Sequence, residues 1–144
     1  MTPDIIRKKR NDISDLMEDL KKFPQVETPV THRFAPGVYL REISMPAGSI
    51  VVGKIHATEH FNIIIAGKVS VYTVEGVEYY EAPATFVSGA GVQKVVVMHT
   101  DCQWQTVHVT NKTDLKEIEA EVIVESYDQL ELDSLMQNAL EGAA

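Results

Sequence analysis

Between Pro29 and Thr110 the chain follows one short rule: a few residues rich in Val, Ile, Tyr and Thr, then a break of Gly, Pro, Asp or Asn. The runs read "GVYLREI", "IVVGKIH", "FNIIIAG", "KVSVYTV", "EGVEYYE", "APATFVS", "GAGVQKVVVMH" and "QWQTVHV", with "MPAGS" and "TDC" among the breaks. β-branched and aromatic side chains fit a pleated, half-buried surface, and the breaking residues supply turn backbone. Roughly eight strands in about 80 residues, with no long helical period between them, argue against a parallel βαβ sheet. They predict an antiparallel sandwich or small barrel. "VEGVE" predicts a hairpin turn between Val71 and Tyr79.

The two ends read differently. From Asp4 to Phe23, Ile13, Leu16, Met17 and Leu20 recur at helical spacing among charged residues, and Pro24 closes the helix. Its basic run, Arg7-Lys8-Lys9-Arg10, is expected to be one solvated helix face. After Thr110, "TDLKEIEAEVIV" supports two readings. Alternation from Glu117 to Val124 suits a strand, whereas Leu115, Ile118 and Val122 share a helical face and Asp114 with Glu117 resembles a capping box. Helix is the preferred reading. "YDQLELDSLMQNAL" reads as a last helix packing through Leu132, Leu135, Met136 and Leu140. The expected organisation is one domain: an N-terminal helix over 1–24, a β-barrel over 29–110 and a helical extension over 111–144.

Composition narrows the function classes. A net charge of −8 opposes a general phosphate-backbone binder, since that affinity rests on Lys and Arg. From Asn111 onward nine Asp and Glu face only Lys112 and Lys116, which reads as a solvated tail. No apolar run is long enough for a membrane helix, and "MTPDIIRKKRNDIS" lacks the apolar core of a secretory signal. Cys102 is the single cysteine, so no intramolecular disulfide can form, and a cytoplasmic location is the expectation. "SGAGVQK" lacks phosphate-loop spacing and leads into a strand, which argues against a nucleotide P-loop.

Most of the chemistry is in "GKIHATEHFN", residues 53–62, where His56, Glu59 and His60 lie within five positions. The stretch sits in a frame that resembles the first motif of the cupin superfamily, G-x5-H-x-H-x3-E-x6-G. Gly48 and Gly67 take the two glycine positions, Lys54 stands at the first histidine, His56 at the second, and His60 at the glutamate. A looser match to the second motif, G-x5-P-x-G-x2-H-x3-N, puts Pro83 at the first glycine, Gly89 at the proline, Gly91 at the inner glycine, Lys94 at the histidine and Met98 at the asparagine. The string "HATEHFNIIIAG" followed by "WQTVH" also looks like small cupin-like proteins of tailed phages, among which His56, Thr58, Glu59, His60, Trp104, Thr106 and His108 recur together. The resemblance implies a jelly-roll β-barrel with a pocket at these residues. It also implies a phage-type protein, and hence the host cytoplasm.

Strand alternation puts Lys54 and His56 on one face with Ile50 and Val52, and His60 on one face with Asn62 and Ile64. His56 and His60 could share a cation with His108 or Glu59 as a third ligand, leaving open coordination positions for Fe, Mn, Ni or Zn. Protonated Lys54 and Lys94 cannot ligate and would repel that cation, so a metal-free pocket for an anion is the competing expectation. Trp104, Thr106 and His108 share a face, and Trp104 serves equally as a stacking wall or as core. His32 has no partner indicated by spacing, His99 is expected in an exposed turn, and Cys102 is expected to be structural.

Three functions follow. The first is a pocket of Lys54, His56, Glu59, His60, Lys94, Trp104 and His108 binding a small anionic or nucleotide-like ligand, with Tyr72 or Trp104 stacking, to sequester a host metabolite or signal. The second is a metal-dependent isomerase, epimerase or oxygenase using His56, His60 and His108, with the lysines or Tyr79 and Tyr80 handling protons. The third is a virion component or host-factor inhibitor that works by its surface. Outward Val51, Ile55, Phe61, Ile63 and Ile65 require a second covering, and a homodimer or a host protein partner would provide it.

Overall fold

A computed structural model describes residues 1–127. Helix α1 (Pro3–Leu20) starts where Thr2 Oγ1 accepts a hydrogen bond from the Ile5 amide and Pro3 takes the first turn. Eleven strands follow, ten of them between Val30 and Val109: β1 (Val30–Ala35), β2 (Val38–Met45), β3 (Ile50–Val52), β4 (Ile55–His56), β5 (His60–Ala66), β6 (Lys68–Thr73), β7 (Gly76–Glu81), β8 (Ala84–Ser88), β9 (Val95–Met98) and β10 (Cys102–Val109). Helix α2 (Leu115–Val122) and β11 (Ile123–Val124) complete the described elements.

All pairings are antiparallel, in a five-stranded sheet ordered β1-β2-β10-β5-β8, a four-stranded sheet ordered β3-β9-β6-β7, and the pair β11-β4. The fold is mainly β, in the antiparallel jelly-roll arrangement expected. The β6–β7 hairpin closes at Thr73 and Gly76, within "VEGVE". More strands form than the sequence rhythm suggested: β1 and β11 lie outside the eight runs, and "IVVGKIH" is not one strand. It breaks at Gly53-Lys54: the Gly53 amide still donates to its in-register partner, the Lys94 carbonyl, at 2.9 Å, and the β3 ladder goes no further.

The sheets face each other across a core of Met45, Ile64, Val69, Val71, Val96, Met98, Cys102 and Trp104. Each comes from the inward-pointing alternate positions of its strand. Phe86 meets the Trp104 ring edge-on at 5.6 Å and stacks on Tyr80 at 4.4 Å. A smaller cluster, Tyr39, Ile118 and Val122, joins α2 to the five-stranded sheet.

The ambiguous segment after Thr110 carries both structures in succession. Asp114 caps α2 by accepting from the Lys116 and Glu117 amides, and Ile118 and Val122 are its buried face. The chain then extends as β11 and pairs Ile123 with His56 and Val124 with Ile55. α1 is half-buried at Ile13, Leu16, Met17 and Leu20, and Lys9 Nζ donates to the Val74 carbonyl at 3.0 Å. The helix expected from Leu132, Leu135, Met136 and Leu140 lies outside the described residues.

Candidate functional site

The inner face of the five-stranded sheet changes chemistry along its strands. On β5 it runs Ile64, Asn62, His60; on β10, Trp104, Thr106, His108; on β2, Ile43, Arg41, Tyr39. The register aligns these in rows: Trp104 lies opposite Ile64 and Ile43, and Thr106 opposite Asn62 and Arg41. An apolar layer therefore gives way to a polar one and then to a layer of imidazoles.

Asn62, with no exposed surface, sets the middle layer. Its Oδ1 accepts from Trp104 Nε1 at 3.0 Å, and its Nδ2 donates to Ser88 Oγ at 2.9 Å. The indole is thus hydrogen-bonded and wedged against Phe86, and Trp104 is core packing rather than an open stacking wall.

Above this layer three imidazoles meet. Ring centroids are 4.2 Å apart for His56 and His60, 4.9 Å for His60 and His108, and 5.5 Å for His56 and His108. His60 Nδ1 lies 3.0 Å from the Thr58 carbonyl, which can only accept, so this nitrogen carries the proton and Nε2 keeps its lone pair. His60 Nε2, His56 Nδ1 and His108 Nδ1 are buried with no hydrogen-bond partner among the described residues. Unpaired polar atoms in a dry site are costly, and they cluster here on three neighbouring rings.

Burial keeps the rings neutral. It is the largest influence on His56, whose pKa falls to about 2, with His60 and Lys94 adding repulsion. Burial, then His60 and Arg41, lowers His108 to about 4. His60 is lowered by burial against the opposing Thr58 hydrogen bond. Lys94 lies just before β9 with the same inward parity as Val96 and Met98, is 7 % exposed, and is brought down to about 8 by burial. Among the described residues no group of three or more His, Cys, Asp or Glu side chains stands in a closed metal-holding arrangement. As placed, the three rings do not form a metal-holding set, so the side chains would have to turn for a cation to be held. In donor chemistry, three neutral imidazoles with unpaired nitrogens fit a divalent cation.

His56, His60, Lys94 and His108 thus come together, and other expected site residues do not. Because the strand breaks at Gly53-Lys54, Lys54 does not keep the inward alternation. Its side chain is 65 % exposed and pairs with Glu119 at 3.9 Å. Glu59 is exposed in the bend before β5. Tyr72 and Tyr79 are exposed on the other sheet, and Tyr80 packs on Phe86 with its hydroxyl bonded to Glu78. His99 is exposed, 2.7 Å from Ser70 Oγ, and the Cys102 thiol is buried with its pKa raised to about 11.

Two neighbours of the site carried no sequence signal of their own. Tyr39 stacks at 6.1 Å on His108 and shares a 2.6 Å hydrogen bond with His32 Nδ1, while Arg41 shares the inward face of β2. Alternation from Tyr39 to Met45 would have found Arg41. No spacing rule pairs His32 with Tyr39, because the β1–β2 register that joins them is set by the turn at Pro36-Gly37.

No protein-family model matches the sequence, and no curated protein matches it. Solved structures do. The chain is similar to a cupin superfamily protein from Desulfitobacterium hafniense DCB-2, with TM-score 0.51 and 8 % identity over 60 % of this chain and 81 % of that one. It is also similar to the Schizosaccharomyces pombe Cnp3 cupin domain, with TM-score 0.50 and 17 % identity over 70 % and 71 % of the two chains. A conserved protein of unknown function from Streptococcus pyogenes gives TM-score 0.50 and 13 % identity over 62 % and 80 %. At these identities the likeness is one of fold: the structural neighbours are cupin domains.

Proposed function

We propose that this cupin-fold chain holds a divalent cation at His56, His60 and His108 and binds a small anionic ligand beside it. The observation that carries the reading is the trio of neighbouring imidazoles, His60 and His108 buried and His56 half-buried, each with a buried ring nitrogen that has no partner among the described residues and each kept neutral by burial. His60 is held as ligating histidines usually are, with one nitrogen tied to a backbone carbonyl and the other without a partner among the described residues. A cation there, Fe, Mn, Ni or Zn, would act as a Lewis acid with open positions for ligand oxygens.

The chain's own part is to orient, exclude water and supply charge. Val96, Met98, Ile64 and Trp104 form the apolar layer of the core, and Asn62 separates that layer from the imidazoles. Lys94 and Arg41 present positive charge toward the histidines, which favours an anionic ligand over a neutral one. Lys54 has no place in this reading. Isomerase, epimerase or oxygenase chemistry is the reaction class to assay first, and sequestration of a metabolite is the outcome if no turnover occurs.

Metal analysis of untagged protein expressed with supplemented metals tests the proposal, followed by calorimetry with Mn, Ni and Zn. About one cation per chain, lost in His56→Ala and His108→Ala, supports it. A stoichiometry near zero in every metal overturns it. The phage-type role and the cytoplasmic setting rest on the sequence likeness. A second copy over the exposed apolar face of Phe61, Ile65 and Val87 belongs to the same proposal, and light scattering giving a monomer would remove it.

A further inference from the structure

Beside the three imidazoles stand two cationic side chains and, among the described residues, no acidic one to match them. Lys94 follows the inward parity of β9, is 7 % exposed, and makes no ion pair or side-chain hydrogen bond among the described residues. Arg41 lies on the inward face of β2, opposite Thr106, and likewise has no carboxylate partner among the described residues. Both act on His56 and His108, and among the described residues no carboxylate contributes to the field at any of the three histidines or at Lys94. A buried lysine without a counter-ion is costly if its only role is structural, since a Met or Leu would fill the same space without desolvating a charge. Desolvated amines beside other cations are also the ones proteins use as nucleophiles.

We infer that Lys94 is a nucleophile that forms an imine with a small carbonyl acid, a 2-oxo or aldehyde carboxylate, whose carboxylate pairs with Arg41. The Nζ lone pair attacks the carbonyl carbon, a C–N bond forms, and the C=O π pair moves onto oxygen. The two protons of the amine leave with that oxygen as one water as the C=N bond forms, so no oxidant or reductant is needed. Lys54 could not substitute, being exposed and paired with Glu119.

This deepens the reading of these residues as an anion site but does not depend on the cation, so the experiment uses protein stripped of metal with EDTA. Glyoxylate with sodium cyanoborohydride traps an imine as a stable carboxymethyl-lysine, located by peptide mass spectrometry. Lys94 should be labelled about tenfold faster than exposed Lys8 or Lys22. Acetaldehyde, which lacks the carboxylate, should lose that selectivity, and Arg41→Gln should remove it for glyoxylate alone. The primary measurement is on the folded wild-type chain, so no variant's folding decides it. Lys94 labelled no faster than Lys8 overturns the inference, even if the histidines bind a cation. Selective Lys94 labelling in a protein that binds no cation upholds it and removes only the metal.

Discussion

The imidazoles of His56 and His60 lie 4.2 Å apart between centroids and tilt by 39°, although the two residues sit on separate strands of different sheets. β11 makes that approach possible by pairing with His56 from the other side and fixing β4 over the end of β5. If the trio ligates a cation, His56→Ala, His60→Ala and His108→Ala should each weaken binding by about 100-fold or more. Glu59→Ala, at an exposed position, should leave it unchanged. Calorimetric titration of the four variants with Zn or Ni checks this. Equal loss in Glu59→Ala would place the site in the bend before β5 instead.

The same three rings predict an acid-labile fold when no metal is bound. His56 and His108 have folded-state pKa values near 2 and 4, below the ordinary 6.5 they regain on unfolding. Between those values the unfolded chain binds more protons than the folded one, so stability must rise with pH there. It should be flat above about pH 6.5 and fall as pH drops toward 4, with the His56 contribution continuing below that. Urea denaturation of EDTA-treated protein at several pH values measures the slope. The double variant His56→Gln, His108→Gln should flatten it, and an unchanged slope would mean that the rings are solvated.

The β class was legible because it rests on local composition: alternating Val, Ile and Tyr with Gly and Pro breaks persist whatever the tertiary context. The places of His56, His60 and Lys94 were legible from the spacing of the two motifs, and that of His108 from "WQTVH" and its parity with Trp104. Lys54 was not, because parity holds only along an unbroken strand, and the β3 ladder makes its last bond at the Gly53 amide, one residue before Lys54. Trp104 was undecided because a buried indole and a ligand wall have the same sequence signature. Only the hydrogen bond to Asn62, 42 positions away, separates them. The Tyr39–His32 pair depends on cross-strand register, which sequence periodicity does not fix, whereas alternation along β2 would have found Arg41.

Asn62 tests the polar layer. Replacing it with Leu conserves much of the volume but strips Trp104 Nε1 and Ser88 Oγ of their partner in a site closed to water. An unsatisfied buried donor costs about 2 kcal/mol. Asn62→Leu should therefore lower unfolding free energy by about that amount, with a shifted emission maximum for Trp104, the only tryptophan. Urea denaturation followed by fluorescence reads both. A stabilised Asn62→Leu would mean the layer is an apolar core with an incidental amide.

The two glycines that frame the first motif should respond differently to alanine. Gly67 joins β5 to β6 with φ +107°, and a Cβ there would lie 2.5 Å from the Asp101 carbonyl oxygen and 2.9 Å from Cys102 Cα. Both obstacles are backbone of the turn entering β10, so relief requires moving the strand that carries Trp104 and His108. Gly48 also has positive φ, +77°, but nothing lies within 4 Å of a Cβ built on it. Gly48→Ala should therefore cost about 1 kcal/mol, the left-handed backbone penalty alone. Gly67→Ala adds a backbone clash and should cost about 3 kcal/mol or more. Parallel urea titrations compare them. Gly67→Ala should also weaken cation binding through His108, whereas Gly48→Ala should leave that binding intact, which separates displacement of β10 from a general loss of stability.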